Sequence, residues 1–268
     1  MKQRFLALVV ALFVAPPAFA TWSVIALDRA SGTIVIASAT CVPQGRFATF
    51  PAEGLKDIQA IVVPGIGVAA AQASVDRTRR NQKLIFSALQ KGTPPSAILE
   101  LLSSDPEIAR RQFGILDMQG RSKGFSGSEN RPSSLDVQGQ VAGTEIVYSI
   151  QGNILASNEV VHHAARAFEA GSGTLADRVM AAMEAADAEG GDGRCTCETE
   201  PTTKAPCSSR TAHVAYLMQS EKDDPSGDSY NNGEYALFID VTDENILPEE
   251  DANPVKTLRM RYDARKRR

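Results

Sequence analysis

The chain has 268 residues, of which 43% are hydrophobic and 22% charged, and a formal net charge of -4 at pH 7. This composition supports a substantial buried core and excludes wholesale disorder, and the mild acidity argues against nucleic acid as the main partner. After residue 20 no apolar run approaches the roughly 20 residues that a membrane-spanning helix needs.

The first segment carries Lys2 and Arg4, an apolar stretch over 5–15, Pro16-Pro17 and the sequence Ala18-Phe19-Ala20. Together these read as a secretory signal peptide over residues 1–20, removed by signal peptidase. Thr21 then becomes the mature N-terminus of a periplasmic or secreted protein. No Cys follows the cleavage sequence, so no lipid anchor is expected.

Beyond Thr21, the β-branched and apolar runs 22–28 and 33–39 flank the turn residues Asp28-Arg29-Ala30-Ser31-Gly32 and predict a hairpin. A looser segment with Cys41, Pro43, Gly45, Pro51 and Gly54 leads to a second hairpin, 58–63 and 66–73, around Pro64-Gly65. The continuous apolarity of these strands implies burial on both faces. The spacing predicts a helix over 75–91 stopped by Gly92, and Thr93-Pro94 and Asp105-Pro106 each announce a short helix. Residues 112–118 and 122–126 form a third predicted hairpin, and the polar stretch 128–140 reads as a connection to a strand at 145–150. Ser157 and Thr174 cap amphipathic helices at 158–169 and 175–189. Residues 192–209 are a polar, Cys-bearing insertion, followed by strands at 211–219 and 235–241 separated by the Asp, Gly and Asn-rich loop 221–233. Asn253-Pro254 starts a last helix running toward Arg265. No repeat or long linker divides the series, which predicts a single α+β domain over 21–268 with layered sheets and helices.

Four cysteines, Cys41, Cys195, Cys197 and Cys207, accompany the export signal. Disulfides are therefore expected over metal binding, and four cysteines allow three pairings. Cys195-Thr196-Cys197 with Cys207 and no nearby His is poor zinc spacing. Other constellations are weak. Gly65-Ile66-Gly67 lacks the third glycine of a dinucleotide fingerprint, and Gly124-Phe125-Ser126-Gly127 has its first glycine misplaced for a nucleophile elbow. The adjacent His162 and His163 point about 100° apart on a helix. His213 has no triad motif around it, and Asp223, Asp224 and Asp228 match no EF-hand loop. The basic tail 265–268 reads as a frayed end rather than a binding arm.

Five blocks carry a resemblance. They are Thr21-Trp22-Ser23-Val24-Ile25-Ala26-Leu27-Asp28, Val63-Pro64-Gly65-Ile66-Gly67 with Gln72-Ala73, Arg111-Gln112-Phe113-Gly114-Ile115-Leu116-Asp117, Gln151-Gly152-Asn153-Ile154-Leu155, and Gly190-Gly191-Asp192-Gly193-Arg194-Cys195. In this order they resemble the domain of unknown function 1028 family, over Thr21 to about Asp263. The resemblance implies a four-layer αββα sandwich of the N-terminal-nucleophile (Ntn) hydrolase type. It implies an amide-cleaving hydrolase in which Thr21 supplies both the attacking hydroxyl and, through its α-amine, the base. Such an amine titrates near 7.7–8.0, so a useful fraction is neutral at working pH.

By position in the matching blocks, Asn153 is the expected oxyanion donor and Asp28 the residue orienting the terminus. Ser23, Ser38, Gln72, Asp192 and Arg194 are expected around the substrate. The same match implies the pairings Cys41–Cys195 and Cys197–Cys207. The expected substrate is a small-molecule or peptide-like amide, with no metal and no organic cofactor required and a homo-oligomer left open. Two alternatives stand beside this reading: a non-catalytic protein binding, for example, cell-wall fragments on the same fold, and a serine-type or metal-assisted hydrolase using His213 or the acidic loop.

Overall fold

The computed structural model describes residues 21–267, and the leader read at 1–20 lies outside them. In chain order the strands are β1 (Thr21–Asp28), β2 (Thr33–Thr40), β3 (Ala60–Val63), β4 (Gly67–Ala73), β5 (Arg111–Asp117), β6 (Ser122–Ser126), β7 (Leu135–Gln140), β8 (Ile146–Asn153), β9 (Val214–Ser220) and β10 (Leu237–Thr242). The helices are α1 (Leu55–Gln59), α2 (Arg80–Gln90), α3 (Pro95–Leu102), α4 (Glu159–Ala170), α5 (Leu175–Ala188) and α6 (Pro254–Lys266).

Two antiparallel sheets result, one of six strands in the order β10-β9-β2-β1-β8-β7 and one of four in the order β3-β4-β5-β6. β1 is central in the larger sheet, with Thr21 opposite Thr40 on β2 and opposite Asn153 on β8. The chain is thus a mixed α and β protein with antiparallel sheets and helices, as the alternation of strand and helix signals predicts.

Side-chain alternation assigns the faces. On β1, Trp22, Val24 and Ala26 join Phe168, Met180, Met183 and Leu258 from α4, α5 and α6 in one core. Ile25 and Leu27 meet Val62, Val68, Ala70 and Leu116 of the smaller sheet in a second core. Ile61, Val63, Ala69 and Ile115 turn outward to Ile85, Leu89, Ile98 and Leu102 of α2 and α3 in a third. Three cores between four layers explain why the central strands read as continuously apolar: both of their faces are covered.

The caps behave as their chemistry dictates. Thr174 and Asp177 form a reciprocal capping box at α5, and the Asn253 side chain accepts from the Val255 N–H ahead of α6. Four expectations are corrected. The first part of the strand expected at 58–63 is the short helix α1, which buries Leu55 and Ile58 and brings Gln59 inside. The polar stretch 128–140 contains the edge strand β7, whose half-buried residues lack the apolar signal of a central strand. The helix expected at 75–91 begins only at Arg80, because the Asp76 carboxylate captures the N–H groups of Thr78 and Asn81 and makes a turn there. Asp105 accepts the Glu107 N–H like a cap but also Asn81 Nδ2 and Arg111 Nε, and only a 3-10 turn at Ile108–Arg110 follows.

Cys41 pairs with Cys195 and Cys197 with Cys207, the connectivity that the family resemblance implies. Two disulfides suggest an oxidising, extracytoplasmic environment. Among the described residues no helix is long and apolar enough to cross a membrane.

Candidate active site

The face of the larger sheet that meets the smaller one changes character along its length. At one end stand Ile25, Leu27, Ile34, Ile36 and Val147; at the other the same parity positions are Thr21 and Ser23 on β1, Ser38 and Thr40 on β2, and Ser149, Gln151 and Asn153 on β8. All seven of these polar residues are buried. Buried polar groups must be paired, so they dictate an internal hydrogen-bond network.

That network has one direction. Tyr216 Oη donates to Gln59 Oε1 (2.9 Å), Gln59 Nε2 to Gln72 Oε1 (2.8 Å), Gln72 Nε2 to Gln112 Oε1 (2.7 Å), and Gln112 Nε2 to Ser126 Oγ (2.7 Å). Ser126 Oγ donates in turn to Asp136 Oδ2 (2.9 Å). Burial, and then the nearby Asp57 carboxylate, pushes the Tyr216 phenol up, so the chain starts at a neutral donor. It ends on a carboxylate, and these two ends fix the orientation of every amide between them. A branch runs from Ser149 Oγ to Gln151 Oε1 (2.8 Å), from Gln151 Nε2 to Ser23 Oγ (2.5 Å), and from Ser23 Oγ to Gln72 Oε1 (2.7 Å).

Gln72 is the junction, and its Nε2 also donates to the Thr21 carbonyl at 3.1 Å. The other atoms of Thr21 are held too. Its backbone N donates to Asn153 Oδ1 at 2.9 Å, and its hydroxyl donates to Thr40 Oγ1 at 3.3 Å. Thr21 is 2% exposed and borders a narrow cleft of about 10 Å³ walled by Phe47, Leu55, Ile58 and Val75. Two non-glycine residues beside it adopt left-handed backbone conformations, Ala73 (φ 71°) directly after Gln72 and Ile154 (φ 55°) directly after Asn153. Such conformations cost on the order of 1–3 kcal/mol each and concentrate at functional sites.

The predicted site residues divide into three groups. Thr21, Asn153, Ser23 and Gln72 come together in this cluster, and Ser38 stands beside it, its hydroxyl donating to the Trp22 carbonyl at 2.6 Å. Asp28 does not join them. It lies at the opposite end of β1, seven residues and roughly 23 Å away at strand spacing, where its carboxylate accepts from Ala30 N and Ser31 Oγ in the hairpin turn. Asp192 and Arg194, expected around the substrate, form an ion pair with each other at 2.8 Å, and Asp192 Oδ2 also accepts from Cys41 N at 2.9 Å. Their pair therefore ties the loop after α5 to the segment after β2, beside the Cys41–Cys195 bridge. Gly191 in that loop sits at φ +44°, where an added Cβ would lie 2.6 Å from Trp22 Cη2, so the indole leaves room only for glycine.

His213 stands just before β9, with its backbone N donating to the Thr40 carbonyl, and its ring nitrogens take no part in the hydrogen-bond network around Thr21. In the acidic loop Asp224 accepts from Glu221 N and Ala236 N. Sequence reasoning passed over Gln59, Gln112, Gln151, Ser149, Thr40 and Tyr216. The available signal was their parity: glutamine, serine and threonine recur every second residue at one end of otherwise apolar strands.

The model of the family of unknown function DUF1028 matches residues 21–199. Among solved structures, the crystal structure of protein SPO2555 from Silicibacter pomeroyi, itself assigned to DUF1028, is 22% identical, with a TM-score of 0.63 over 91% of this chain and 88% of that one. That likeness bears on the fold. No curated protein matches the chain.

Proposed function

This chain belongs to the family of unknown function DUF1028, and from the site itself we propose that it is an exported hydrolase of the Ntn type, cleaving an amide bond with Thr21 as nucleophile. The observation that carries the proposal is the hold on Thr21: its backbone N lies 2.9 Å from Asn153 Oδ1, at the start of the central strand and at the edge of a cleft. A terminal amine at that position would be oriented by the same oxygen. The layered order of helices, sheet, sheet and helices is the one expected of an Ntn-type sandwich.

In this reading, removal of residues 1–20 frees the Thr21 amine. The neutral amine takes the Oγ proton as Oγ attacks the amide carbonyl, forming the C–O bond. Asn153 Nδ2, with backbone N–H groups, would hold the developing oxyanion. As the C–N bond breaks, the protonated amine returns its proton to the leaving nitrogen. Water then resolves the ester, activated by the same amine, and releases the acid. The amide network around Gln72 keeps the Thr21 carbonyl, and with it the terminus, in one orientation throughout.

A β-lactone or epoxyketone tests this. Mature protein should form a one-to-one adduct located on Thr21 by peptide mass mapping, and Thr21→Ala should form none. An adduct of equal yield on Thr21→Ala would sink the mechanism.

A further inference from the structure

The strongest unassigned feature lies at the Cys41–Cys195 bridge. Cys41 Sγ, Cys195 Sγ and a ring nitrogen of His213 lie within 4.8 Å of one another, and all three residues are buried. The sulfurs have each other in the disulfide. His213 differs: at 1% exposure, neither ring nitrogen has a hydrogen-bond partner among the described residues. A buried imidazole with both nitrogens unpaired carries an uncompensated desolvation cost and calls for a ligand at that spot.

The backbone, and not only the S–S bond, brings the three together. His213 N donates to the Thr40 carbonyl at 2.8 Å, which ties the residue just before β9 to the last residue of β2, next to Cys41. Cys195 arrives on the loop that Asp192 anchors, where Cys195 N donates to the Asp192 carbonyl at 3.2 Å and Cys41 N to the Asp192 carboxylate at 2.9 Å. Opening the disulfide therefore leaves both sulfurs beside the imidazole.

We propose that, when the Cys41–Cys195 bond is reduced, Cys41, Cys195 and His213 bind a thiophilic divalent cation, Zn²⁺ by its chemistry, through two thiolates and one imidazole. Two sulfurs and one nitrogen, with a fourth position for water, suit zinc. Tetrahedral coordination, with Zn–S near 2.3 Å and Zn–N near 2.0–2.1 Å, requires ligand atoms roughly 3.5–3.8 Å apart, a separation the opened pair reaches by small side-chain rotations. The ligand set differs from the Cys195, Cys197 and Cys207 grouping rejected on spacing, because His213 comes from a distant strand. The chemistry balances: a phosphine reductant gives two electrons to the S–S bond and becomes its oxide with oxygen from water, leaving two thiols. Metal binding then releases their two protons to solvent. The metal-bound and disulfide forms would be alternative clamps on the segment that follows Thr40.

The test uses the full chain with Cys197→Ser and Cys207→Ser, which removes the second pair. After phosphine reduction, Co²⁺ should bind one per chain with thiolate-to-metal charge-transfer absorption and the visible bands of a tetrahedral site, all bleached by Zn²⁺. The oxidised chain should show neither. Adding His213→Ala should weaken binding at least tenfold. Absence of charge-transfer absorption in the reduced chain, or an unchanged affinity with His213→Ala, overturns the proposal. Zinc X-ray absorption on the protein with His213 intact needs no further variant: two sulfurs and an imidazole support the site, and a shell of oxygen and nitrogen alone overturns it.

Discussion

Replacing Gln72 with Leu tests whether the buried amide network is what holds Thr21. The side chains are similar in size, so the change is chiefly one of hydrogen bonding. Gln72 accepts from Gln59 Nε2 and Ser23 Oγ and donates to Gln112 Oε1 and the Thr21 carbonyl. The Ser23 proton can rotate toward another acceptor, and the Thr21 carbonyl is one acceptor at a strand end. Gln59 Nε2 and Gln112 Oε1, however, are left buried and facing an apolar group. At about 1–3 kcal/mol for each orphaned group, the cost is about 2–6 kcal/mol. Urea titration of variant and parent should show the unfolding free energy in water fall by that amount, through a lower midpoint with the slope unchanged. On folded Gln72→Leu protein, the rate of β-lactone addition to Thr21 should fall at least tenfold, because the carbonyl of the reacting residue has lost its tether. A stability change below about 1 kcal/mol together with an unchanged labelling rate would refute the reasoning.

Other perturbations follow from the same structure. Gly114→Ala places a Cβ 2.1 Å from Gln151 Oε1, so it should destabilise by about 1–3 kcal/mol on denaturant titration through overpacking between the sheets. Burial, followed by the charges of Arg210 and Arg194, pushes His213 down to about 4 from its ordinary 6.5. Between those values the unfolded chain binds a proton that the folded chain refuses, so stability should drop as pH falls from about 6.5 to 4, by roughly 3 kcal/mol in all. His213→Leu should flatten that part of the pH profile. In the chain-entropy model, loss of Cys41–Cys195, 154 residues apart, costs up to about 5 kcal/mol. Loss of Cys197–Cys207, 10 apart, costs about 3 kcal/mol, so paired Cys→Ser variants should rank in that order in thermal melts. Thr174→Ala removes the capping box of α5 and should cost about 1 kcal/mol by the same titrations.

Much of the fold was legible in the chain. The first hairpin, the helices capped by Thr174 and Asn253, and the layering followed from local chemistry, since turn residues, caps and doubly apolar strands act over a few residues. The misplaced elements are those where a side chain overrides local pattern. Asp76 intercepts the N–H groups that a helix would have used, and α1 forms where Leu55 and Ile58 can bury. Of the candidate site, Thr21, Ser23, Gln72 and Asn153 were singled out because a family resemblance pointed to their blocks. Gln59, Gln112 and Tyr216 were not, because their pairing depends on two sheets meeting face to face, with Gly114 letting Gln151 approach. Asp28 was expected too near the terminus: a strand of eight residues carries its first and last residues to opposite ends of the sheet.

The central claim is that Thr21 acts through its own free amine. Two preparations, one beginning at Thr21 and one carrying a single extra residue before it, separate that claim from any role of the hydroxyl alone. The rate of β-lactone addition to Thr21, followed by intact mass, should be at least a hundredfold slower in the extended form, whose Thr21 nitrogen is an amide and cannot accept a proton. Equal rates in the two forms would contradict the account.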